Sequence, residues 1–321
     1  MSVAEKSNLS SSINTDAAVL KKRSAKSRGF GKHYLLMLLP GYLWVTLFCI
    51  VPMFGIAIAF QDFNPAKGVL GSEFVGLKTF EYMFVLEDTV NIFLNTLFIA
   101  VLKIVGHLIV PLVFALMLNE VRHMLFKRTV QTIVYLPHFL SWVILGGIVL
   151  DIFSYDGPVN QLLAAFGLQK PILFFAKAEW FPFFVAGSDV WKDFGFNTIV
   201  YLAALTGINP ALYEAAGIDG ANRFRALWHI TLPGIRTTAV LLAVLSLGQI
   251  LNAGFDQVFN MYNPLVYSTG DIIDTWVYRV GLLDLQYELA TAVGLLKSVV
   301  GFIMIIISYA LAYKFTNYRI F

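Results

Sequence analysis

Six apolar stretches, each long enough to cross a lipid bilayer, alternate along the chain with more polar segments. A membrane-spanning helix needs about 20 predominantly apolar residues. The pattern therefore predicts an all-α polytopic membrane protein with six transmembrane helices. We expect these helices at Tyr34–Phe60, Val90–Leu118, Val130–Phe153, Phe181–Leu205, Thr237–Asn260 and Thr291–Phe315.

Two further segments do not follow this pattern. Gly157–Phe175 is apolar only in patches and is interrupted by Gly and Pro, so we expect a short amphipathic helix and a loop rather than a seventh span. Residues 1–32 are rich in Ser, Lys and Arg and predict a flexible basic tail before the transmembrane domain at 33–321. The first apolar run is too long for a cleavable signal peptide, so we expect it to be retained.

Composition agrees with a membrane protein. Hydrophobic residues make up 58% of the 321 residues, charged residues only 13%, and the mean hydropathy is +0.72. Soluble domains carry about 25% charged residues. The single cysteine, Cys49, lies inside an apolar run, which excludes a disulfide framework and a cysteine-based metal site. Phosphate-binding and zinc-protease motifs are absent from the sequence, so we expect no enzyme activity in this chain and the lipid bilayer, not nucleic acid, around it.

The placement of Lys and Arg predicts the orientation. If both termini are cytoplasmic, the inside segments hold 15 Lys and Arg residues and the outside loops hold five. Cytoplasmic loops of membrane proteins carry such an excess of basic residues. Under this topology the connector at 206–236 is cytoplasmic.

This connector is much longer than a link between two helices requires. Glu214, Ala215 and Ala216 favour a helix, Gly220 suits a turn, and Asn222 can cap a second short helix at Arg223–His229. We therefore expect a helix–turn–helix at the cytoplasmic surface. An amphipathic helix lying on the membrane is the alternative from composition alone.

The same connector resembles the EAA loop of binding-protein-dependent ABC importers. Glu214-Ala215-Ala216, Gly220 and the run from Ile230 to Pro233 have the identities and spacing of that motif. The phrases YLPHFLSWV and WKDFGFNTIVYLAAL are similar to the carbohydrate-uptake branch, with the closest likeness to permeases for alginate and pectin fragments. The ending KFTNYRIF resembles the first, maltose-type permease of such pairs, although the additional amino-terminal segments of that protein are missing here.

The resemblance implies the transmembrane domain of a type I ABC importer in the bacterial cytoplasmic (inner) membrane. Its partners would be a second permease subunit, two copies of a cytoplasmic ATPase subunit that bind ATP and Mg²⁺, and an extracytoplasmic solute-binding protein. The substrate would be an oligosaccharide, including uronate-containing ones. No cofactor is expected in this chain. The residues expected to couple it to the ATPase are Glu214, Ala215, Ala216, Gly220, Arg223, Ile230, Leu232 and Pro233.

Polar side chains within the spans are candidates for the substrate pathway, because sugar hydroxyls need hydrogen-bond partners and aromatic side chains offer flat surfaces for pyranose rings. In the fourth and fifth spans, polar residues recur every three or four positions and so share a helix face. The alternative is that they only join helices through hydrogen bonds. The candidates are Lys103, Trp142, Asp189, Trp191, Lys192, Asp193, Asn197, Gln249, Asn252 and Asp256.

Three further expectations concern charge, shape and rival functions. Lys103, with His107 one turn away, could favour an anionic sugar or could pair with an aspartate of another span. Pro137 is expected to kink the third span, for a gate or only for packing.

The rival function is an ion-driven secondary transporter in which Asp193 or Asp256 titrates. A membrane assembly factor that does not transport is a third possibility.

Overall fold

The computed structural model describes residues 33–316, with side chains to residue 314, and almost all of this part is helical. Two short strands, β1 (Gln61–Asp62) and β2 (Glu73–Phe74), pair antiparallel with Gln61 opposite Phe74. The main helices are α1 (His33–Phe60), α2 (Lys78–Val85), α3 (Glu87–Glu120), α4 (Met124–Phe139), α5 (Trp142–Ile152), α6 (Pro158–Ala165), α7 (Phe181–Thr206), α8 (Pro210–Ile218), α9 (Arg223–Leu247), α10 (Phe255–Met261), α11 (Ile273–Tyr278) and α12 (Tyr287–Thr316).

Contacts divide the chain into two units, Met1–Ala57 and Ile58–Phe321. In the first unit, the described part of α1 contains a π-helical turn at Thr46–Ile50. Pro52 lies two residues after the end of this turn, at the start of the next helical turn. Because proline has no N–H to donate, a local departure from α-helical hydrogen bonding is expected beside it.

Four of the helices, α1, α3, α9 and α12, are long and apolar enough to cross a membrane, and α4 with α5 makes a fifth if the bent pair is one span. The predicted fourth span is α7, which has 26 residues but carries Asp189, Lys192 and Asp193 near its middle. The expected short helix after Gly157 is α6, with eight residues.

The second unit is built on the packing of α3 against α7. The two helices approach closely at Gly106, where a Cβ would lie 2.4 Å from Cγ2 of Val190. Gly195 on α7 permits a similar approach to α4, because a Cβ there would lie 2.4 Å from the carbonyl oxygen of Val134. Near the end of α7 the buried Tyr201 donates a hydrogen bond to the carbonyl of Leu108 at 3.2 Å. This tight packing holds the polar residues of α3 and α7 opposite each other.

The predicted third span is broken rather than kinked. Pro137 lies in a 3₁₀ turn, Leu136–Phe139, and α4 and α5 meet at an angle of 105°. Ser141 begins α5 as its N-cap, accepting a hydrogen bond from the Ile144 amide at 3.4 Å. A proline that cannot donate, followed by a good N-cap, is the physical reason for the break.

The prediction of a continuous fifth span at Thr237–Asn260 is wrong. The helix α9 ends at Leu247, a non-helical stretch at 248–254 follows, and α10 begins only at Phe255. Gly254 has φ +92°, a left-handed conformation that glycine adopts without the Cβ clash. We call residues 248–254 the unwound segment.

The prediction of a separate short helix at Arg223–His229 is also wrong, because α9 continues from Arg223 into the membrane-spanning region. A π-helical turn, Leu227–Thr231, ends two residues before Pro233. The wider turn allows this proline, which cannot donate a hydrogen bond, to stay within one helix.

Candidate functional site

A polar cavity of about 460 Å³ lies among α3, α7 and the unwound segment. The tight contact of α3 with α7 and the end of α9 at Leu247 bring these three parts together. Its polar lining comes from Lys103, His107, Asp189, Asp193, Asn197, Ser246, Gln249 and Asn252. The cavity therefore brings together five of the polar residues that the sequence placed on the fourth and fifth spans, namely Asp189, Asp193, Asn197, Gln249 and Asn252.

Lys103 joins three parts of the chain at the wall of this cavity. Its Nζ donates to the carbonyl of Ala253 at 2.6 Å and to Gln257 Oε1 at 2.5 Å, and lies 3.4 Å from Asp189 Oδ1. The residue is only 6% exposed. Since an ammonium group has three protons to donate, these partners satisfy it fully.

Gln257 extends the same connection to α7. Its Nε2 donates to the carbonyl of Val185 at 2.7 Å and to Ser188 Oγ at 2.8 Å, while its Oε1 accepts from Lys103. The side chain is fully buried. A buried polar group without partners costs about 1–3 kcal/mol, so this satisfied network fixes the position of the unwound segment.

His107 links α3 to two residues of α7. Its Nε2 and Asp189 Oδ2 are hydrogen-bonded at 2.8 Å, and its Nδ1 accepts from Asn197 Nδ2 at 3.0 Å. The ligand atoms of His107, Asp189 and Asp193 lie within 4.8 Å of one another, a spacing that could hold a metal ion. Lys103 and Lys192 supply one positive charge each to Asp189 and Asp193, so the two carboxylates are compensated by lysines of the chain.

Asp193 is held by the break between α4 and α5. Its Oδ1 accepts from His138 Nδ1 at 2.8 Å and lies 3.5 Å from Lys192 Nζ. Lys192 in turn donates to the carbonyl of His138 at 2.9 Å, and the His138 ring stacks on Phe196 with centroids 4.1 Å apart. Asp193 is therefore paired with Lys192, and His138 is a further partner.

Four of the candidate pathway residues do not line the cavity. Lys192 is 8% exposed, and its Nζ lies 5.6 Å from the ring centre of Trp142, behind the cavity wall. Trp191 faces a separate apolar pocket of about 330 Å³. Asp256 is exposed on α10 and does not share a helix with Gln249 and Asn252, because those two residues lie in the unwound segment.

Several residues at the site were not among the sequence candidates. Gln257 reaches Lys103 because the unwound segment precedes it, and His138 reaches Asp193 because the helix breaks before α5; neither contact could be predicted from local sequence. Lys297, outside this cavity, could have been singled out from the sequence, since it is a charged residue within the last apolar run. Ionisable residues within spans are rare and functional candidates by default.

The connector at 206–236 forms a second candidate site, made of α8, a turn and the start of α9. Gly220 in the turn has φ +74°. Asn222 caps α9, its Oδ1 accepting from the Arg225 amide at 2.9 Å. Large apolar side chains are exposed here, with Ile218 at 88% and Phe224 at 72%. An exposed apolar surface of this kind is typical of an interface.

The predicted coupling residues lie on both sides of this turn. Glu214 and Ala215 are exposed, and Ala216 is half-buried on α8. Arg223 Nη1 lies 3.3 Å from Glu120 Oε2 in an exposed ion pair, which contributes little stability. Within α9, Ile230 and Leu232 are half-buried and Pro233 is exposed.

Two contacts within the connector hold α8 and the end of α7 against the start of α9. Tyr213 Oη and Thr231 Oγ1 are hydrogen-bonded at 3.0 Å, which joins α8 to the π-helical turn. At Gly234 a Cβ would lie 2.8 Å from Ile208 Cδ1, so α9 passes very close to the end of α7. A movement of α8 would therefore be transmitted directly to α9.

Comparison with known proteins agrees with these features. Residues 107–317 match the family described as the binding-protein-dependent transport system inner membrane component. The chain is 43% identical over 306 residues to the polygalacturonan/rhamnogalacturonan transport system permease protein YteP of Bacillus subtilis (strain 168), covering 94% of this chain and 95% of that protein. It is also 43% identical to Protein LplB of the same organism, over 90% of this chain and 91% of LplB.

The fold is similar to a solved bacterial ABC transporter involved in the import of the acidic polysaccharide alginate, with TM-score 0.81, 38% identity and coverage of 90% of this chain and 98% of that chain. A second structure is the alginate ABC transporter in complex with an alginate pentasaccharide-bound periplasmic protein, with TM-score 0.82, 37% identity and coverage of 91% and 99%. The long apolar helices, the broken span and the match over most of the chain lead to one assignment. The chain belongs to the family of inner membrane permease components of binding-protein-dependent transport systems.

Proposed function

We propose that this chain is one of two permease subunits of an ATP-driven importer for uronate-containing oligosaccharides. A solute-binding protein would deliver the sugar on the outside, and two copies of a separate ATPase subunit would hydrolyse ATP in the cytoplasm. The single observation that carries the proposal is the polar cavity at the unwound segment, set within a permease fold. Both termini would lie in the cytoplasm.

The lining of the cavity supports a sugar as the substrate. Asn197, Gln249 and Asn252 offer amide donors and acceptors, and Asn252 is exposed. Sugar hydroxyls both donate and accept, so amides are suitable partners. A volume of about 460 Å³ lies within the range of about 300–1,000 Å³ that holds small molecules.

The charges around the cavity support an acidic sugar only indirectly. Lys103 and Lys192 balance Asp189 and Asp193, so this group of four charges has no net charge to repel a carboxylate. The contacts of Lys103 favour the pairing alternative over selection of an anion by a free ammonium. The proposal of a uronate rests on the relatives, whose names refer to polygalacturonan, rhamnogalacturonan and the acidic polysaccharide alginate.

The exposed connector supports coupling to a separate ATPase. The small side chains Ala215 and Ala216 permit close approach of a partner, while Ile218, Phe224 and Trp228 expose apolar surface at 88%, 72% and 62%. We infer that residues 206–236 dock on the ATPase subunit and transmit its movement through α8 to α9. On the outer side, Asp62–Asp88 and Ser154–Trp180 are the proposed surfaces for the solute-binding protein.

Co-purification of a tagged chain in mild detergent tests the proposal. We expect a second permease and an ATPase to co-purify, and the complex in proteoliposomes to hydrolyse ATP faster when its binding protein carries an oligogalacturonate or oligoalginate. A neutral oligosaccharide serves as the comparison for the uronate. If the chain purifies alone and moves solute on an ion gradient without ATP, the secondary transporter replaces this proposal.

A further inference from the structure

A second polar cavity lies on the other side of the unwound segment, between this segment, α11 and α12. Its volume is about 570 Å³, larger than that of the first cavity. Both volumes lie in the range typical of small-molecule sites. The polar residues and glycines that line it are Gly248, Gln249, Asn252, Asp274, Gly294, Lys297, Ser298 and Gly301.

The centre of this second cavity is an ion pair between two helices. Lys297 Nζ on α12 lies 2.5 Å from Asp274 Oδ1 on α11. Their side chains are 19% and 30% exposed, so both remain accessible from the cavity. Lys297 is ten residues from the start of α12, about 15 Å along the helix at 1.5 Å per residue. A charge at this depth is costly unless it has a partner or a function.

Small residues flank Lys297 on its own face of α12. Gly294, Ser298 and Gly301 follow one another at spacings of four and three, so they share a face of α12 with Lys297. Ser298 Oγ donates to the carbonyl of Gly294 at 2.9 Å and keeps its lone pairs for an acceptor role. The small side chains leave room for a ring beside the ammonium group.

The two cavities share two residues. Gln249 and Asn252 line both, and they are hydrogen-bonded to each other at 2.5 Å. Ligand atoms in either cavity can therefore reach the same pair of amides. A linear oligosaccharide that lies across the unwound segment would place successive sugar units in the two cavities.

Contacts of the neighbouring residues hold the helix that carries Asp274 in place. The neighbouring Asp271 is 3% exposed, accepts from Thr275 Oγ1 at 2.7 Å and pairs with Arg279. The Arg279 guanidinium also lies 4.2 Å from the ring centre of Tyr267. These contacts fix the helix that carries Asp274, so the ion pair has a defined geometry in the absence of a ligand.

We propose that the cavity at Lys297 and Asp274 is a second sugar subsite, contiguous with the first, in which Lys297 donates to the carboxylate of a hexuronate unit and Asp274 accepts from its hydroxyls. The subsite rests on the proposed function and specifies it further. It gives the transporter a preference for longer substrates, because only an oligosaccharide longer than one cavity can occupy both. A hydrogen bond to a charged group contributes about 1.5–3 kcal/mol, which is roughly a factor of ten or more in a binding constant.

The test compares substrate lengths in the reconstituted complex of both permeases, the ATPase and the binding protein. The double variant Lys297→Gln/Asp274→Asn keeps a hydrogen-bonding pair between α11 and α12 and leaves no unpaired charge. We expect uptake of tetragalacturonate to fall about 10-fold and uptake of digalacturonate by less than about 2-fold. Lys297→Arg, which keeps the cation, should retain most of the preference for the longer sugar.

A charge-exchanged variant, Lys297→Asp/Asp274→Lys, separates recognition from a structural tie. It keeps an ion pair but moves the ammonium group to α11, so we expect uptake of the longer sugar to remain low. Full recovery in this variant, or equal losses for both sugar lengths in the neutral variant, would show that the pair only joins helices and would overturn the subsite. If either double variant purified without the second permease, the pair would be a contact between subunits, and this result would also overturn the subsite. If the unmodified complex responds to no loaded binding protein, the proposed function itself fails.

Discussion

Lys103 contacts groups from three parts of the chain that are far apart in sequence. Its ammonium binds a carbonyl of the unwound segment, the amide of Gln257 on α10 and the carboxylate of Asp189 on α7. A Cβ on Gly254 would lie 2.9 Å from the Nζ of Lys103, so the absence of a side chain at this glycine leaves room for the ammonium group. We regard Lys103 as a positioning residue that holds Gln249 and Asn252 in the cavity wall.

Replacing Lys103 by Met tests this role. The variant removes the Lys103 donor from Gln257 Oε1 and from the carbonyl of Ala253, at a cost of about 1–3 kcal/mol for each buried group, and leaves Asp189 with His107 alone. We expect uptake to fall about 10-fold for acidic and neutral sugars alike. In a Cys49→Ser background, an Asn252→Cys reporter should react faster with a maleimide once Lys103 is replaced. Val105→Met, on an exposed position of the same helix, is the matched control.

A loss confined to acidic sugars, with unchanged labelling of the reporter, would contradict the positioning role. That result would restore the hypothesis that the Lys103 charge selects the substrate. Unchanged uptake of both sugar classes would exclude both roles.

Asn252 and Asp256 offer a second comparison between two single residues. Asn252 is exposed to both cavities, whereas Asp256 projects from α10 outside them. We expect Asn252→Ala to lower uptake about 5-fold to 10-fold, since a hydrogen bond contributes about 0.5–1.5 kcal/mol. Asp256→Ala should leave uptake within about 2-fold. Measured uptake should be divided by the amount of protein in the membrane.

The reverse order of effects would show that α10, not the unwound segment, lines the substrate pathway. It would also support a titrating role for Asp256, as the rival secondary transporter requires.

The shape of the connector between α7 and α9 depends on one glycine. Gly220 has φ +74°, and Asn222 begins α9 two residues later. Proline fixes φ near −65° and cannot adopt this turn. We expect Gly220→Pro to abolish stimulation of ATP hydrolysis by the loaded binding protein while the chain stays in the membrane. ATPase rates with and without the sugar measure this stimulation.

Gly217→Ala is the matched control for this variant. Gly217 lies in α8, and a Cβ there would contact nothing within 4 Å, so alanine should be tolerated or slightly stabilising. Normal sugar-stimulated hydrolysis and uptake in Gly220→Pro would argue against any coupling role for the connector.

The sequence predicted the long helices well because each carries a sustained apolar run, as in α3 and α12. It could not predict where α9 ends. Leu247 is followed by Gly248 and Gln249, and nothing local distinguishes this boundary from a helix that simply contains a glycine. The break depends on Lys103, which lies more than 140 residues earlier and supplies hydrogen bonds to the unwound segment. A tertiary contact of this kind leaves no periodic signal.

Helical spacing predicted part of the candidate site, and the packing of helices against one another determined the rest. Asp189, Asp193 and Asn197 share a face of α7, and helical spacing alone reveals this. The partners His107 and His138 come from other helices, and only the packing of those helices determines which aspartate each one meets. The second cavity depends on α11, whose short length gave no clear signal.

The arrangement of the chain across the membrane gives a final prediction, based on the distribution of basic residues. Leu70, in the segment predicted outside, and Ile218, in the connector predicted inside, are 103% and 88% exposed, so cysteines at these positions should react freely. In intact cells of a Cys49→Ser strain, we expect a membrane-impermeant maleimide to label Leu70→Cys and not Ile218→Cys. In inverted vesicles the labelling should reverse, and the ATPase subunit should protect Ile218→Cys. Labelling of Ile218→Cys from outside the cell would invert the topology and remove the connector from the reach of a cytoplasmic ATPase.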